Sequence, residues 1–527
     1  MKKYNTARRQ RLALVGILAM AQALVACGGG GGSTATDPSQ TPSGQPEGGS
    51  AAAATSVAVS PPSTQTYWGY SVQLTATARD AAGAVVAPAP GFVWQSSDTS
   101  TASVDGAGRV DLLRPGSASI TAAVAGKTTV SATSAVNIRG LDGLARSADN
   151  TLCALAEGRQ RIFCWGDGGT STTAVIATPA TSAVGHVQPT PIAPGDMPAG
   201  AAIARLSLAL FSACAVTDAG QAYCWGDNSH GALGIGVRDN ATTPRQVASG
   251  AVPAGVRLVD IANASDTACA AGDDGRLYCW GAQLVIPNPA LSSTGYTYAP
   301  VSTAFGAVPG TVKLTRVALS TNTGCALGDD GEAYCWTSSS RTPVHIGQGD
   351  RPVGSRFVDL QLNSDLACGL ASDGEAYCWS GGNGGSSGYR FGNGSAAFQT
   401  HPTPVRVAAG DRPVGVRLTS LSVGSNATAS CASADDGQAY CWGKGYRGSL
   451  GDGIEAEHDA LVPVRVLDGE RPAGATWLGV NCATYTCSAM ASDGRVYNWG
   501  ANARGMLSRE ALTQSATPLR ITRVLLP

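Results

Sequence analysis

Apolar and polar residues alternate in short runs along most of this chain, and turns rich in glycine separate the runs. Val72-Gln-Leu-Thr-Ala-Thr-Ala78 and Val416-Arg-Leu-Thr-Ser-Leu-Ser-Val423 are two of these runs. A period of two places every second side chain on the same face, so the pattern predicts half-buried β-strands. The sequence has no apolar stretch of about eighteen residues, so no membrane-spanning helix is expected. We therefore predict an all-β fold.

A longer repeat is superimposed on these strands. Six times a Cys is followed, after nine or ten intervening residues, by Cys-Trp, and a seventh copy, Cys487 to Trp499, has Asn498 where the second Cys is expected. Each copy lies between a strand led by Pro and a turn such as Gly410-Asp-Arg-Pro-Val-Gly415. One unit thus holds about four short strands in 43 to 63 residues, measured from Trp to Trp. Four-stranded units at such a period are typical of propeller blades.

The turn inside one copy predicts which residues face each other. Asp329-Asp330-Gly331 separates two strand-like runs, and Gly331 supplies the left-handed conformation that ends a three-residue hairpin loop. Counting outward places Cys325 opposite Cys335 at a non-hydrogen-bonded pair, where side chains are closest. That closeness suits a disulfide. The predicted hairpin bonds are Cys153–Cys164, Cys214–Cys224, Cys269–Cys279, Cys325–Cys335, Cys368–Cys378 and Cys431–Cys441.

The first 26 residues are typical of a secretory leader. A basic start (Lys2, Lys3, Arg8, Arg9 and Arg11) precedes an apolar core, Leu12–Ala23, that is too short to span a membrane. Leu24-Val25-Ala26-Cys27 then resembles the lipobox of bacterial lipoproteins. The resemblance implies cleavage before Cys27 and lipidation of that residue, and Gly28 favours an outer-membrane destination over inner-membrane retention. The alternative is an ordinary signal peptide followed by an incidental Cys.

The cysteine count fits a lipidated Cys27. The chain has 15 cysteines, which leaves 14, or seven pairs, once Cys27 is set aside. Because the seventh copy loses a hairpin Cys and gains Cys482, we expect a Cys482–Cys487 bond, with two free thiols as the alternative. Zinc binding is the other interpretation of so many cysteines. The long spacing, the five His of the chain and an oxidising compartment favour disulfides.

The segments after Cys-Trp identify a family. Trp225-Gly-Asp-Asn-Ser-His-Gly-Ala-Leu-Gly-Ile-Gly236 and Trp442-Gly-Lys-Gly-Tyr-Arg-Gly-Ser-Leu-Gly-Asp-Gly453 resemble the repeat of the regulator of chromosome condensation family. The resemblance implies a seven-bladed β-propeller over residues 140–527. The third, fourth and fifth copies lack the Gly-x-Leu-Gly-x-Gly tail. The C-terminal strand, Ala516–Ile521, is expected to complete the first blade. Nucleotide exchange on the GTPase Ran, the family's best-known activity, is not expected of an exported chain.

Two segments lie between the leader and the propeller. Residues 27–54 are rich in Gly, Ser, Thr, Pro and Ala, a composition that predicts a flexible tether. Residues 55–139 contain many short alternating runs, which predict a small β-sandwich. They resemble the group 2 bacterial immunoglobulin-like domain, and we expect that domain to act as a spacer with Trp94 in its core.

Charge and the remaining motifs exclude several functions. The chain has 36 basic and 37 acidic residues, and removing the five basic residues before Cys27 gives 31 minus 37, or −6. No cluster of Lys and Arg indicates a nucleic-acid partner.

Two short motifs match known sites in sequence only. Gly443–Gly448 matches a dinucleotide-binding fingerprint and Gly384–Gly388 matches a nucleophile elbow. Both sites need a helix after a strand, whereas these segments are predicted to be loops of an all-β repeat. The Asp pairs before Gly are interpreted as turn residues and the repeated Trp residues as inter-blade packing. No metal or cofactor is expected.

Binding is expected in the loops that follow Cys-Trp, because they vary most in length between copies. Tyr and Arg are enriched at interface hot spots. The candidate ligand-binding residues are Tyr296, Tyr298, Tyr389, Arg390, Phe391, Tyr446 and Arg447. Among them Tyr389-Arg390-Phe391 is the strongest cluster, since it lies in the longest Gly-rich insertion and matches no repeat. The alternative is that these side chains anchor their own loops.

Three functions remain open at this stage. The first is a surface-anchored, non-catalytic lipoprotein whose propeller binds a protein or a glycan, as in adhesion. The second is an inhibitor that blocks a secreted or periplasmic enzyme, since a propeller of this family is known to inhibit β-lactamases. The third is an enzyme of unknown class, although no nucleophile–base pair or metal site can be assembled from the sequence.

Overall fold

The structure is a computed structural model that describes residues 53–67, 71–146, 151–166, 186–363, 366–381, 388–424, 429–502, 506–507 and 512–521. The described residues form 37 strands and two short 3-10 turns, Gly388–Phe391 and Tyr446–Gly448. The all-β prediction is therefore confirmed. No helix in this part of the chain is long and apolar enough to cross a membrane. The predicted leader, Cys27 and nearly all of the predicted tether lie outside the described residues.

The N-terminal domain consists of three small sheets around one core. Its strands are β1 (Ser56–Ser60), β2 (Ser63–Tyr67), β3 (Ser71–Gln73), β4 (Thr75–Arg79), β5 (Phe92–Ser96), β6 (Ala102–Val104), β7 (Arg109–Leu112), β8 (Gly116–Val124) and β9 (Lys127–Arg139). They pair as β1-β4, β2-β9-β8-β5 and β3-β7-β6. Alternating residues of these strands, among them Val110, Ile120 and Val136, are buried together, and Trp94 packs against them.

The rest of the described chain forms seven sheets of four antiparallel strands, and each sheet uses four consecutive strands. Sheets 1 to 4 contain β10 (Leu141–Arg146), β11 (Thr151–Ala156), β12 (Arg161–Gly166), β13 (His186–Pro191); β14 (Ile203–Leu208), β15 (Ser212–Thr217), β16 (Ala222–Gly226), β17 (Ala241–Gln246); β18 (Leu258–Ala264), β19 (Thr267–Gly272), β20 (Leu277–Ala282), β21 (Tyr296–Ser302); and β22 (Leu314–Leu319), β23 (Thr323–Gly328), β24 (Ala333–Thr337), β25 (Val344–His345). Sheets 5 to 7 contain β26 (Phe357–Asn363), β27 (Leu366–Ala371), β28 (Ala376–Ser380), β29 (Val405–Arg406); β30 (Leu418–Ser422), β31 (Ser430–Ala434), β32 (Ala439–Gly445), β33 (His458–Arg465); and β34 (Trp477–Cys482), β35 (Thr486–Ala491), β36 (Val496–Ala501), β37 (Gln514–Arg520).

The first strands of these sheets contact one another in a closed circle. Strands β10, β14, β18, β22, β26, β30 and β34 each pack against the next, and β34 also packs against β10. The predicted completion of the first blade by the C-terminal strand is wrong. Strand β37 pairs with β36 inside sheet 7, because β10 already occupies the innermost position of sheet 1. The circle therefore closes by side-chain packing and not by strand exchange.

The hairpins of the Asp-Asp-Gly turns have the register that those turns predict. Cys325 lies opposite Cys335 with 4.0 Å between their Cα atoms, and Gly331 has a φ of +78°. The described cysteines form the six hairpin disulfides named above. In sheet 7 the bond is Cys482–Cys487, which joins β34 to β35.

The Asp that precedes the turn Gly has a structural role in sheets 3 to 7. Asp330 accepts the N–H of Glu332 at 3.0 Å and the hydroxyl of Tyr334 at 2.7 Å. The same Asp–Tyr hydrogen bond occurs in sheets 3, 5, 6 and 7. Burial, and then this hydrogen bond, raise the pKa of each of these Tyr hydroxyls. The paired carboxylates are thus turn residues, as predicted.

Candidate binding face and central channel

The turn between strands one and two and the segment between strands three and four emerge at the same end of each sheet. In sheet 2 the N–H of Asp227 donates to the carbonyl of Phe211 at 2.8 Å. Equivalent bonds reach the carbonyls of Asp266 in sheet 3, Asn322 in sheet 4 and Tyr485 in sheet 7. We call this end of the ring the loop face. The opposite face carries the Asp-Gly hairpins and the Gly-Asp-Arg-Pro turns.

The repeated Trp residues fasten the loop-face segments to the neighbouring sheet. All seven indoles are less than 2 % exposed. The indole N–H of Trp280 donates to the carbonyl of Ala232 at 2.9 Å, and Trp499 donates to Ser449 at 3.0 Å. In each case the acceptor belongs to the segment that follows Cys-Trp in the preceding sheet. The predicted inter-blade packing of the Trp residues is confirmed, and an indole hydrogen bond anchors the segments of sheets 2, 3, 5 and 6.

The structure corrects the strongest predicted binding cluster. Phe391 is fully buried and Arg390 is 5 % exposed, while the side chain of Tyr389 lies outside the described part. The carbonyl of Arg390 accepts the indole N–H of Trp442 at 3.2 Å. A Cβ added to Gly392 would lie 2.6 Å from the Trp442 ring.

These contacts make Arg390-Phe391-Gly392 the sheet 5 counterpart of the anchor that Ala232-Leu233-Gly234 forms in sheet 2. There a Cβ on Gly234 would lie 2.7 Å from the Trp280 ring. The statement that the cluster matches no repeat is wrong. The sequence signal was a large apolar residue followed directly by Gly. Phe391 and Arg390 are therefore loop anchors and not contact residues.

The second predicted group lies between sheets 2 and 3. Tyr296 is 47 % exposed, and its ring lies 4.8 Å from the ring of His230. The Nδ1 atom of His230 is 3.3 Å from a carboxylate oxygen of Asp266. Tyr298 is half-buried, and its carbonyl accepts the N–H of Gly236. Of the two tyrosines, Tyr296 is thus the one that offers surface to a partner.

The third predicted group, together with a residue that sequence reasoning missed, forms an exposed patch between sheets 6 and 7. The rings of Tyr446 and Tyr485 are 4.8 Å apart, and the guanidinium of Arg447 is 5.3 Å from the Tyr446 ring. Arg447 is exposed, Tyr485 is 37 % exposed and Tyr446 is half-buried. Arg447 also has a φ of +52°, a left-handed conformation that is uncommon outside glycine. We call Tyr446, Arg447 and Tyr485 the aromatic patch.

A polar cavity, which we call the channel, lies among the first strands at the centre of the ring. It measures about 350 Å³ and is lined by residues of the first strands. Arg205, Asp260, Arg316 and Asp359 occupy the same position in sheets 2 to 5, so positive and negative charges alternate around this side. Gly143, Ser420 and Gly479 occupy that position in sheets 1, 6 and 7. Sequence reasoning missed this set, which appears only when the first strands are aligned by register.

Asp260 connects three sheets at this channel. Its carboxylate lies 3.0 Å from Nε of Arg205 in sheet 2 and accepts the N–H of Val317 in sheet 4 at 2.8 Å. The residue is 7 % exposed. Burial raises the pKa of Asp260 to about 6, and the Val317 hydrogen bond and Arg205 oppose that rise.

We predict that Asp260 makes the ring more stable as the pH falls from above 6 to below 4. Its native pKa exceeds the unfolded value of 3.8, so the native state binds the proton more tightly in that window. This group alone contributes up to about 3 kcal/mol, at about 1.4 kcal/mol for each pKa unit. Denaturant unfolding at several pH values measures the slope, which Asp260→Asn should reduce. An unchanged slope in that variant would contradict the assignment.

Comparisons with known proteins agree with the fold. Residues 53–137 match the bacterial Ig-like domain (group 2), and residues 219–271 and 436–490 match the regulator of chromosome condensation (RCC1) repeat. The chain thus contains both modules that the sequence resemblance implied. The Ultraviolet-B receptor UVR8 of Arabidopsis thaliana is 27% identical over 132 residues, which are 25% of this chain and 28% of the receptor. This chain therefore spans less than a third of that relative's length.

Solved structures show the same type of propeller. Human WBSCR16 superimposes with a TM-score of 0.54 at 16% identity, over 68% of this chain and 89% of that chain. Prp20p from Saccharomyces cerevisiae, described with its binding properties to Gsp1p and histones, gives 0.54 at 17% identity, over 70% and 87%. Yeast RCC1 (Prp20) bound to Kap60 gives 0.50 at 17% identity, over 73% and 84%. At these identities the likeness shows the fold alone.

Proposed function

We propose that this chain, which joins a group 2 bacterial Ig-like domain to RCC1 repeats, is a non-catalytic protein-binding module. Its seven sheets act as the blades of one propeller that presents the loop face to a partner. One observation carries the proposal: buried anchors hold loop-face segments, while Arg447 and Tyr485 of the aromatic patch between sheets 6 and 7 stay exposed. Rigid display of Tyr and Arg reduces the entropy lost on binding.

The relatives support protein recognition as the general role. Prp20p has been studied for its binding to Gsp1p and histones, and the same yeast protein has been solved bound to Kap60. The geometry of the patch also favours a protein over a glycan. The Tyr446 and Tyr485 rings are tilted by 46° against each other, so the pair offers no single flat surface for a sugar ring to stack on.

The N-terminal domain would leave the loop face free. Strand β9 continues into β10 through the single residue Gly140, and Pro115 packs against Gly140 and Gly494. Gly494 belongs to the Asp-Gly hairpin of sheet 7, on the opposite face. In this proposal the Ig-like domain is a spacer that approaches the ring from the face without the variable loops. The loop face then points away from whatever holds the N-terminus.

We further propose that Cys27 holds that N-terminus as a lipid anchor in the outer membrane. The support is the order of a basic start, a short apolar core and Leu24–Cys27. Cys27→Ser is expected to abolish metabolic labelling with palmitate, because the acylated residue is removed. Labelling of a Ser60→Ala control, which alters the N-terminal domain and not Cys27, should be unchanged. Continued labelling of Cys27→Ser would contradict the anchor.

Partner recovery tests the binding proposal. The exported chain, immobilised at its N-terminus, is compared with a variant carrying Tyr446→Ala, Arg447→Ala and Tyr485→Ala, and with a control carrying Val353→Ala and Val414→Ala on the opposite face. Val353 and Val414 are 93 % and 103 % exposed, so the control also removes exposed side chains. A protein partner should be recovered by the wild type and the control and lost by the aromatic-patch variant. A glycan array with the same three proteins tests the alternative ligand class.

A further inference from the structure

Two disulfides of neighbouring sheets lie in contact at one point of the ring. In sheets 1 to 6 the described disulfides join strands two and three of one sheet, but in sheet 7 the bond joins strands one and two. Strand β34 packs against β31, which carries Cys431. The displaced cysteine therefore meets the disulfide of sheet 6.

The distances at this point are short. The Sγ atom of Cys482 lies 3.1 Å from Sγ of Cys431, and Sγ of Cys487 lies 3.8 Å from it. Within the described part of the chain, these three sulfurs form the one group of Cys, His, Asp or Glu ligand atoms that cluster within 4.8 Å. Both bonds are closed, so the sulfurs lack the thiolate charge that a metal requires. A thiolate at Cys482, however, would already be beside a disulfide sulfur.

We propose that Cys431 and Cys482 form a thiol–disulfide exchange site that can replace two bonds within sheets by one bond between sheets 6 and 7. Exchange requires a thiolate to attack one sulfur of a disulfide and to release the other sulfur. Cys482 is 7 % exposed, whereas Cys431, Cys441 and Cys487 are at most 1 % exposed. An external reductant therefore reaches Cys482 first.

The proposed steps balance with one dithiol reductant. One thiolate of the dithiol attacks Cys482 and releases the Cys487 thiolate. The second thiolate closes the dithiol into its own disulfide and releases the Cys482 thiolate. Cys482 then attacks Sγ of Cys431, forms the Cys431–Cys482 bond and releases Cys441. The dithiol loses two electrons, the protein gains two, and water protonates the thiolates of Cys441 and Cys487.

This exchange would alter the loop face. The Cys482–Cys487 bond closes the turn that carries Tyr485, a member of the aromatic patch. Exchange breaks the Cys482–Cys487 bond, so this turn is no longer closed, and the new Cys431–Cys482 bond joins sheet 6 to sheet 7. The link between redox state and binding rests on the proposed function of the patch, whereas the exchange itself does not.

A variant with one thiol tests the exchange without any reductant. Cys487→Ser leaves Cys482 beside the intact Cys431–Cys441 bond. After incubation at mildly alkaline pH, the exchange is quenched in acid. The protein is then denatured, its free thiols are labelled with N-ethylmaleimide, and its peptides are mapped without reduction. We expect linked Cys431–Cys482 peptides and a shift of label from Cys482 to Cys441. Label on Cys482 alone would overturn the proposal.

A matched variant and the unaltered protein complete the test. Cys378→Ser leaves a single thiol at Cys368, which lies outside the three-sulfur cluster, so its label should stay on Cys368. A shifted label there would show unspecific scrambling and overturn the site. If Cys487→Ser does not fold, the wild type is treated with limiting dithiothreitol. Molecules labelled at Cys441 and Cys487 support the exchange, and molecules labelled at Cys482 and Cys487 overturn it.

Discussion

Replacing Trp442 by alanine is expected to lower the free energy of unfolding by about 3–5 kcal/mol, the usual cost of deleting a large buried aromatic side chain. Trp442 is fully buried and fills the space between sheets 5 and 6 beside Phe391. Its indole N–H also holds the carbonyl of Arg390. The variant therefore creates a cavity and leaves a buried acceptor without its donor.

Denaturant unfolding of the full exported chain measures this effect. Phe398→Ala is the matched control, because Phe398 is also an aromatic residue of the sheet 5 segment but is 71 % exposed. The control should change stability by less than about 0.5 kcal/mol, as is usual for surface positions. A loss below about 1 kcal/mol in Trp442→Ala would show that the indole does not fasten the two sheets.

Removing the aromatic patch is expected to weaken binding of the recovered protein partner by about 100-fold, or roughly 2.7 kcal/mol, without a change in the unfolding midpoint. Tyr446, Arg447 and Tyr485 expose the side-chain types that dominate interface energies, on a frame that other residues hold. Titration of the triple alanine variant, followed by biolayer interferometry, measures the affinity.

The control and the stability readout separate two outcomes. Val353→Ala with Val414→Ala alters the opposite face and should leave the affinity unchanged. Full affinity in a folded triple variant would place the binding site elsewhere on the ring. An unfolded triple variant would instead make the patch a structural contact between sheets 6 and 7.

Local rules were enough to predict the hairpins. The Asp-Asp-Gly turn sets the strand register within a few residues, so the opposition of Cys325 and Cys335 follows without any tertiary information. The contacts of the Arg in the Gly-Asp-Arg-Pro turns could not be predicted from such local rules. Arg351 lies 4.4 Å from the Phe357 ring and contacts Glu332 of the preceding sheet. Its role depends on how sheets 4 and 5 pack against each other, and the sequence of one repeat does not predict that packing.

The predictions that failed concern contacts between sheets, which the pattern within one repeat does not specify. Arg390 and Phe391 were predicted to bind a ligand because they lie in the longest Gly-rich insertion, yet both belong to the anchor at Trp442. Tyr485 and the charges of the channel escaped notice because the first strands and their turns share no invariant residue. Ring closure was also misjudged, since the strand that starts sheet 1 directly follows the N-terminal domain.

The central claim is that the loop face binds a protein while the framework only holds it. Hydrogen exchange of the full exported chain, measured with and without its recovered partner, tests this most directly. The account predicts new protection in the segments after Cys-Trp and in the first turns of the sheets, strongest around Tyr446–Gly448 and Tyr485. Protection concentrated in the Asp-Gly hairpins and the turns of Val353 and Val414 would contradict it.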